Sequence, residues 1–121
     1  MKVCAIIVTY NRKELLVRAV QSVLSQEIKP QKVLIIDNAS SDGTYDHLTE
    51  SGCLSDNDVV DIEYVKLDVN GGGAGGFNYG LEYASKDDFD YYWVMDDDGF
   101  PDSDCLKELV ENVGEYHFLS P

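Results

Sequence analysis

At 121 residues, with 44% hydrophobic and 26% charged side chains, the chain has the length and composition of one folded domain, which excludes global disorder. Its 23 acidic residues against 9 basic ones give a formal charge of −14, and the only arginines are Arg12 and Arg18. That balance excludes nucleic acid and anionic membrane as partners, because neutralising phosphates takes clustered Lys and Arg. An anionic ligand therefore calls for a bound cation between it and the protein.

The first apolar run, residues 2–9, is continuous rather than alternating, the pattern of a strand covered on both faces. It is too short for a signal peptide or a membrane span. Asn11 opens a helix, with Glu14 three residues on in the spacing of a capping box. Leu16, Ala19, Val20, Val23 and Leu24 share one face of that helix, which ends before Pro30. A second strand covers residues 32–37 and leads through a polar loop to a short helix containing Tyr45 and Leu48. Residues 51–58 are polar and loop-like. The third strand, residues 62–67, runs into a glycine-rich loop at residues 70–76, after which Phe77, Leu81 and Ala84 form the inner face of another helix. The fourth strand, residues 91–95, ends at Asp96, Asp97 and Asp98. Pro101 with Asp102 or Ser103 starts a last helix, with Leu106, Leu109, Val110 and Val113 turned inward. The cysteines, Cys4, Cys53 and Cys105, are odd in number and widely spaced. Neither a zinc site nor a disulfide framework is expected, and buried thiols in a reducing cytosol are.

Fourfold alternation of strand and helix predicts a doubly wound, mostly parallel α/β sheet with flanking helices, spanning residues 1–121 as one domain. Ligands of such sheets bind beyond the carboxyl ends of the strands. Each strand here ends in a polar cluster: Thr9, Tyr10, Asn11 and Arg12, then Asp37 and Asn38, then Asn70 with its glycines, then the aspartate triple. In an extended segment alternate residues face the same way, so Asp96 and Asp98 point together and repel unless a cation lies between them. Hard oxygen donors suit Mg2+ or Mn2+, which keep waters and bridge substrate phosphates. The competing reading is a solvated acidic turn capping the last helix. An EF-hand fails on spacing, since Gly99 as the loop glycine puts Val94 and Cys105 at the first and last ligand positions. Gly71, Gly73 and Gly76 match the dinucleotide-binding pattern G-x-G-x-x-G, but that pattern belongs to a first β–α turn and here follows the third strand. Close approach of glycine backbone to a ligand ranks above it. The Asp37 carboxylate accepts either a nucleobase N–H or a turn N–H. Arg12, in the first helical turn, lies where a phosphate is approached.

Taken in order, VTYNR (8–12), DNASSDGT (37–44), NGGGAGGFNYG (70–80) and DDD (96–98) resemble the signatures of family 2 glycosyltransferases, and WVMDDD (93–98) is similar to the rhamnosyl- and galactofuranosyltransferase branch. The resemblance covers nearly the whole chain. It implies a GT-A fold of Rossmann-like type, a UDP- or dTDP-sugar donor, a divalent cation (Mg2+ or Mn2+), and inverting transfer to a hydroxyl of a glycan or lipid-linked acceptor in cell-surface polysaccharide synthesis. By motif position, Thr9, Tyr10, Asn11, Arg12, Asp37 and Asn38 hold base and ribose. Asn70 and the loop through Gly75 border the nucleotide. Asp96 and Asp98 serve the ribose and the metal-bound diphosphate, and Asp97 contacts the sugar. The family's general base lies further along, beyond Pro121, so these residues are expected to be the donor-binding portion of a longer cytoplasmic enzyme and inactive alone. Two other functions remain open at this point: a binding-only nucleotide and metal module, and a dinucleotide-dependent oxidoreductase.

Overall fold

Strand β1 (Val3–Thr9) is buried along its whole length, as its unbroken apolar run requires of a strand packed on both faces. The computed structural model describes residues 2–54, 59–111 and 118–119. After β1 come α1 (Lys13–Leu24), β2 (Lys32–Asp37), α2 (Thr44–Ser51), β3 (Asp61–Lys66), α3 (Gly72–Ala84), β4 (Tyr91–Asp96), α4 (Cys105–Glu111) and β5 (Phe118–Leu119). The sheet order is β3-β2-β1-β4-β5, and every neighbouring pair is parallel. The predicted doubly wound sheet is therefore present, with β5, which sequence patterning does not reveal, added beside β4.

Period-two alternation divides β1 between two cores. Val3, Ala5 and Ile7 meet Leu16, Ala19, Val20 and Val23 of α1, Leu48 of α2, Trp93 and Leu106. Cys4, Ile6 and Val8 meet Leu34, Ile36 and Ala84 on the opposite face, beneath α3. Burial pushes the Cys4 thiol up to about 12, so it stays protonated and unreactive. Cys4, Cys53 and Cys105 are all free.

Three local expectations need correction. Asn11 does not cap α1: its φ is +50°, Arg12 is the N-cap residue and its side chain makes no cap bond, and the Lys13 N–H at the helix start is taken by Asp42 Oδ2 instead. Asn11 instead binds the loop after β2, its N–H donating to Ser40 Oγ at 2.8 Å and its Oδ1 accepting from the Ser41 N–H at 2.7 Å. The glycine-rich stretch is largely helix, because α3 begins at Gly72. Gly76, Gly80 and Ala84 are buried in it, one residue per turn, and the half-buried Phe77 and Leu81 pack against the same core, so the expected inner face holds and gains two glycines. A Cβ on Gly76 would lie 2.7 Å from Val8 Cγ1, and one on Gly80 would lie 2.8 Å from Ile6 Cγ2, so only glycine lets this helix lie so close to the sheet. Finally, α4 starts at Cys105, later than Pro101 suggests. Leu106 is buried in it, Leu109 and Val110 are half-buried, and Val113 is outside the described residues.

At the amino-terminal end of the sheet, Lys32 reaches Glu63 at 2.7 Å, Asp87 at 3.7 Å and Asp61 at 3.8 Å. Burial opposes the lysine charge, but the Glu63 hydrogen bond and the three carboxylates outweigh it and raise its pKa. Glu63, bonded by Lys32 and by the Tyr83 hydroxyl, is held below its ordinary range. Among the described residues no helix is long and apolar enough to cross a membrane.

Candidate functional site

Register brings the polar strand ends to one edge. Thr9 pairs with Asp37, and Val8 pairs with Asp96, so the chain segments leaving β1, β2 and β4 start level with one another. The strand order runs from β1 outward through β2 to β3, then returns to the other side of β1 for β4. The loops after β1 and β4 therefore part, leaving a crevice at the point where the order reverses. A cleft of about 450 Å³ lies there, lined by Val8, Thr9, Tyr10, Arg12, Asn38, Asn70, Gly72, Gly73, Asp96, Asp97 and Asp98.

The three aspartates differ in burial, with Asp96 at the end of β4 and Asp97 and Asp98 in the turn closed by the Gly99 N–H on Asp96 O at 3.1 Å. Asp96 and Asp98 are exposed to the cleft, whereas Asp97 is buried. Asp97 Oδ2 accepts from Thr9 Oγ1 at 2.9 Å, and Oδ1 accepts from Arg12 Nη1 at 3.4 Å. Burial raises the Asp97 pKa against the opposing pull of the Thr9 bond and the Arg12 charge. Arg12 also lies 3.6 Å from Asp98 Oδ2 and is half exposed, so its guanidinium spans from the buried aspartate to the cleft surface. Among the described residues no group of three or more His, Cys, Asp or Glu side chains is placed to hold a metal. Two hard carboxylates on one wall fit a Mg2+ or Mn2+ that takes its other ligands from water and phosphate, and fit a fully caged ion poorly.

Asn38 lines the cleft beside this wall, and Asp37 lies behind it. Asn38 is buried, its Nδ2 donates to Gly72 O at 3.0 Å, and its Oδ1 has no hydrogen-bond partner. Asp37 does not line the cleft: it is 1% exposed, its Oδ1 accepts the Ser40 N–H at 2.9 Å, and its Oδ2 accepts the Tyr64 hydroxyl. Burial, then this bond to Asp37, raises the Tyr64 pKa and keeps the phenol a donor. The loop joining these residues is tight, with Ala39 at φ +64°. Lys13 ties it to α1 through bonds from its N–H to Asp42 Oδ2 at 3.3 Å and from its Nζ to Asp42 O at 3.0 Å.

Of the residues singled out from sequence, Thr9, Tyr10, Arg12, Asn38, Asn70, Asp96, Asp97 and Asp98 line the one cleft. Asn11 and Asp37 stand behind it in the loop framework, and Gly75 lies on α3 away from the lining. Asn70 Oδ1 accepts the Gly72 N–H at 2.8 Å, turning the chain into α3. Gly72 and Gly73, within the loop expected to border the ligand, also line the cleft, whereas sequence patterning missed Ser40 and Tyr64 as supports. Tyr64 carries no local signal, since it reads as an ordinary strand residue. The dinucleotide pattern does not follow the central strand, because its glycines come after the edge strand β3, and its last glycine, Gly76, serves helix packing.

Residues 4–119 match the family described as Glycosyl transferase family 2. Galactofuranosyltransferase GlfT1 of Mycolicibacterium smegmatis is 35% identical over 118 residues, which are 98% of this chain and 37% of that protein. Among solved structures, mannosyltransferase PcManGT from Pyrobaculum calidifontis in complex with GDP-Man and Mn2+ is similar at TM-score 0.80 and 22% identity, covering 94% of this chain and 32% of that one. Staphylococcus aureus TarS 1–349 in complex with UDP-GlcNAc is similar at TM-score 0.75 and 22% identity, covering 97% and 32%. The two structures establish the fold as that of glycosyltransferases of the GT-A type. The chain spans about a third of the length of each of these proteins.

Proposed function

The chain belongs to glycosyl transferase family 2, and from that premise we propose that its cleft binds the nucleotide-sugar donor of an inverting, divalent-metal-dependent glycosyltransferase. The carrying observation is the split of the aspartate triple at the β1–β4 crevice, with Asp96 and Asp98 open to the cleft and Asp97 buried against Thr9 and Arg12. The donor is a UDP- or dTDP-sugar. A family fold seen with UDP-GlcNAc in one protein and with GDP-Man and Mn2+ in another supports a nucleoside diphosphate and a divalent cation.

In this reading Asp96 and Asp98 hold Mg2+ or Mn2+, which when bound stabilises the negative charge that develops on the departing diphosphate. Arg12 offers a fixed cation on the same wall, held by the buried Asp97, and so favours the diphosphate without needing to be gathered from solvent. Thr9 orients Asp97 and thereby Arg12. Asn38 presents an unpaired buried acceptor to a hydroxyl or N–H of the nucleoside, and Asp37 shapes its loop. Tyr10 and Asn70 border the nucleoside on either side of the cleft. Sugar transfer to a glycan or lipid-linked hydroxyl is the activity assigned to the whole protein, within cell-surface polysaccharide assembly. Its three free thiols fit a cytoplasmic setting.

Calorimetry with UDP and Mn2+ tests this. UDP is expected to bind only with the metal present, and Asp98→Ala is expected to weaken that binding at least tenfold. Unchanged affinity in Asp98→Ala removes the site assignment, and binding of NAD without metal replaces the donor reading with a dinucleotide one. Donor hydrolysis by the protein would separate an enzyme from a binding-only module.

A further inference from the structure

We infer that Gln26 is a positioning residue for the cation and diphosphate site, acting through the segment that follows Asp98. Gln26 lies just past the end of α1 and is fully buried. Its Nε2 donates to Asp102 O at 2.7 Å, to Ser22 O at 3.1 Å and to Pro101 O at 3.4 Å. Its Oε1 accepts the N–H of Leu106, the second residue of α4, at 3.0 Å. The amide orientation is therefore determined: the NH2 faces carbonyls only, the oxygen faces an N–H, and a flipped amide would satisfy neither side. The adjoining Glu27 N–H adds a bond to Ser103 O at 2.7 Å.

This contact is the far end of a longer arrangement. Arg12, at the start of α1, meets Asp97 and Asp98. Arg18, in the middle of α1, lies 4.2 Å over the Phe100 ring. Gln26, at its end, holds Pro101, Asp102 and Leu106. After the turn closed by the Gly99 N–H and Asp96 O at 3.1 Å, the chain is thus laid along one helix. Residues 99–105 are exposed or half-buried, and Leu106 is the first fully buried side chain after Asp97. Apolar burial therefore does little to hold the segment, and the Gln26 amide closes it together with the Glu27 N–H. Asp98 is the third residue of that turn, and the chain leaving the turn runs straight into the clamp, so freeing the clamp loosens the outgoing side of the turn and spreads the Asp98 carboxylate over more positions. The bonds of Thr9 to Asp97 and of Asn11 to the loop after β2 are untouched by that change.

The inference rests on the proposed cation and diphosphate reading of Asp96 and Asp98. Its test uses Gln26→Glu, which keeps the shape but sets an oxygen against the Pro101 and Asp102 carbonyls, and Gln26→Met, which keeps the volume without a buried charge and serves if the first variant does not fold. Each is titrated with Mn2+ plus UDP by calorimetry and with uridine alone by ligand-observed NMR, below the melting transition followed by circular dichroism. Affinity for Mn2+ plus UDP is expected to fall about tenfold, as the competent population falls, while uridine affinity stays within about twofold. A general structural role would move both ligands together. Equal losses for the two ligands, or wild-type affinity for both, overturn the positioning role. Failure of the wild-type protein itself to bind Mn2+ plus UDP overturns the site reading and this inference with it.

Discussion

Two adjacent glycines of α3 are expected to respond to the same substitution with opposite signs. At Gly75 an added Cβ meets nothing within 4 Å, so Gly75→Ala changes only the freedom of the unfolded chain and the helix propensity. That stabilises by about 0.4–1 kcal/mol. At Gly76 the same gain is opposed by a Cβ placed 2.7 Å from Val8 Cγ1 and 3.0 Å from Asn38 Nδ2. Val8 is a stiff β-branched residue of the central strand, and Asn38 is held by its bond to Gly72 O, so neither yields freely. Overpacking of this kind costs about 1–3 kcal/mol, leaving a net loss of about 1–2 kcal/mol. With an unfolding entropy of about 2.1 cal/mol/K per residue, 1 kcal/mol moves the Tm of a chain this size by about 4 °C. Thermal melts should show Gly75→Ala up by about 2–4 °C and Gly76→Ala down by about 4–8 °C. Equal rises in both variants would refute close docking of α3 on β1. Because Asn38 also lines the cleft, Gly76→Ala is expected to weaken nucleotide binding as well, which Gly75→Ala should leave alone.

Arg12→Ala should cost under about 1 kcal/mol in urea unfolding, since its ion pairs are half exposed, yet weaken UDP binding roughly tenfold, the order of one charge-assisted hydrogen bond. Uridine affinity is the control and should not move. Tyr64→Phe keeps the edge contact with the Tyr45 ring but leaves the buried Asp37 carboxylate without its hydroxyl donor, so urea unfolding should show a loss of about 1–3 kcal/mol. Glu63 has its pKa lowered from the ordinary 4.5 by the Lys32 and Tyr83 bonds. A depressed carboxylate contributes stability above its unfolded pKa and loses it as pH falls through the folded one. Wild type should therefore exceed Glu63→Gln by about 1 kcal/mol at pH 7, and the gap should close as the pH is lowered below 4.5. A gap independent of pH would mean that the lysine does not bond the ionised carboxylate.

How far the cleft was legible in sequence can be judged from its own residues. Thr9, Asn38, Asn70 and the aspartates were legible because each stands at the end of an apolar run, and parallel strands of similar length put their ends together. Extended-chain alternation does not reach Asp98, because β4 ends at Asp96 and the chain then turns, with the Gly99 N–H on Asp96 O. The partner of Asp97 was not legible. Thr9 lies far away in sequence, and the pair exists only because β4 returns to the open side of β1 with Val8 level with Asp96. Asp37 looked as free as the other strand-end acids until the fold brought Tyr64 and Ser40 onto it.

Local order came from sequence alone wherever one element's own periodicity sufficed. The continuous apolar runs of β1 and β2 dictated buried strands, and the spacing of Leu16, Ala19, Val20 and Val23 dictated the inner face of α1. Tertiary structure alone decided what depends on a distant partner. It made Asn11 a loop staple instead of a cap, turned Gly76 and Gly80 into positions where a helix packs on the sheet, and set Gln26 against the segment after Asp98. The physical reason is the same in each case. Hydrophobic periodicity is a property of a stretch of chain, whereas a close approach or a buried hydrogen bond is a property of two stretches, and only the sheet order says which two meet.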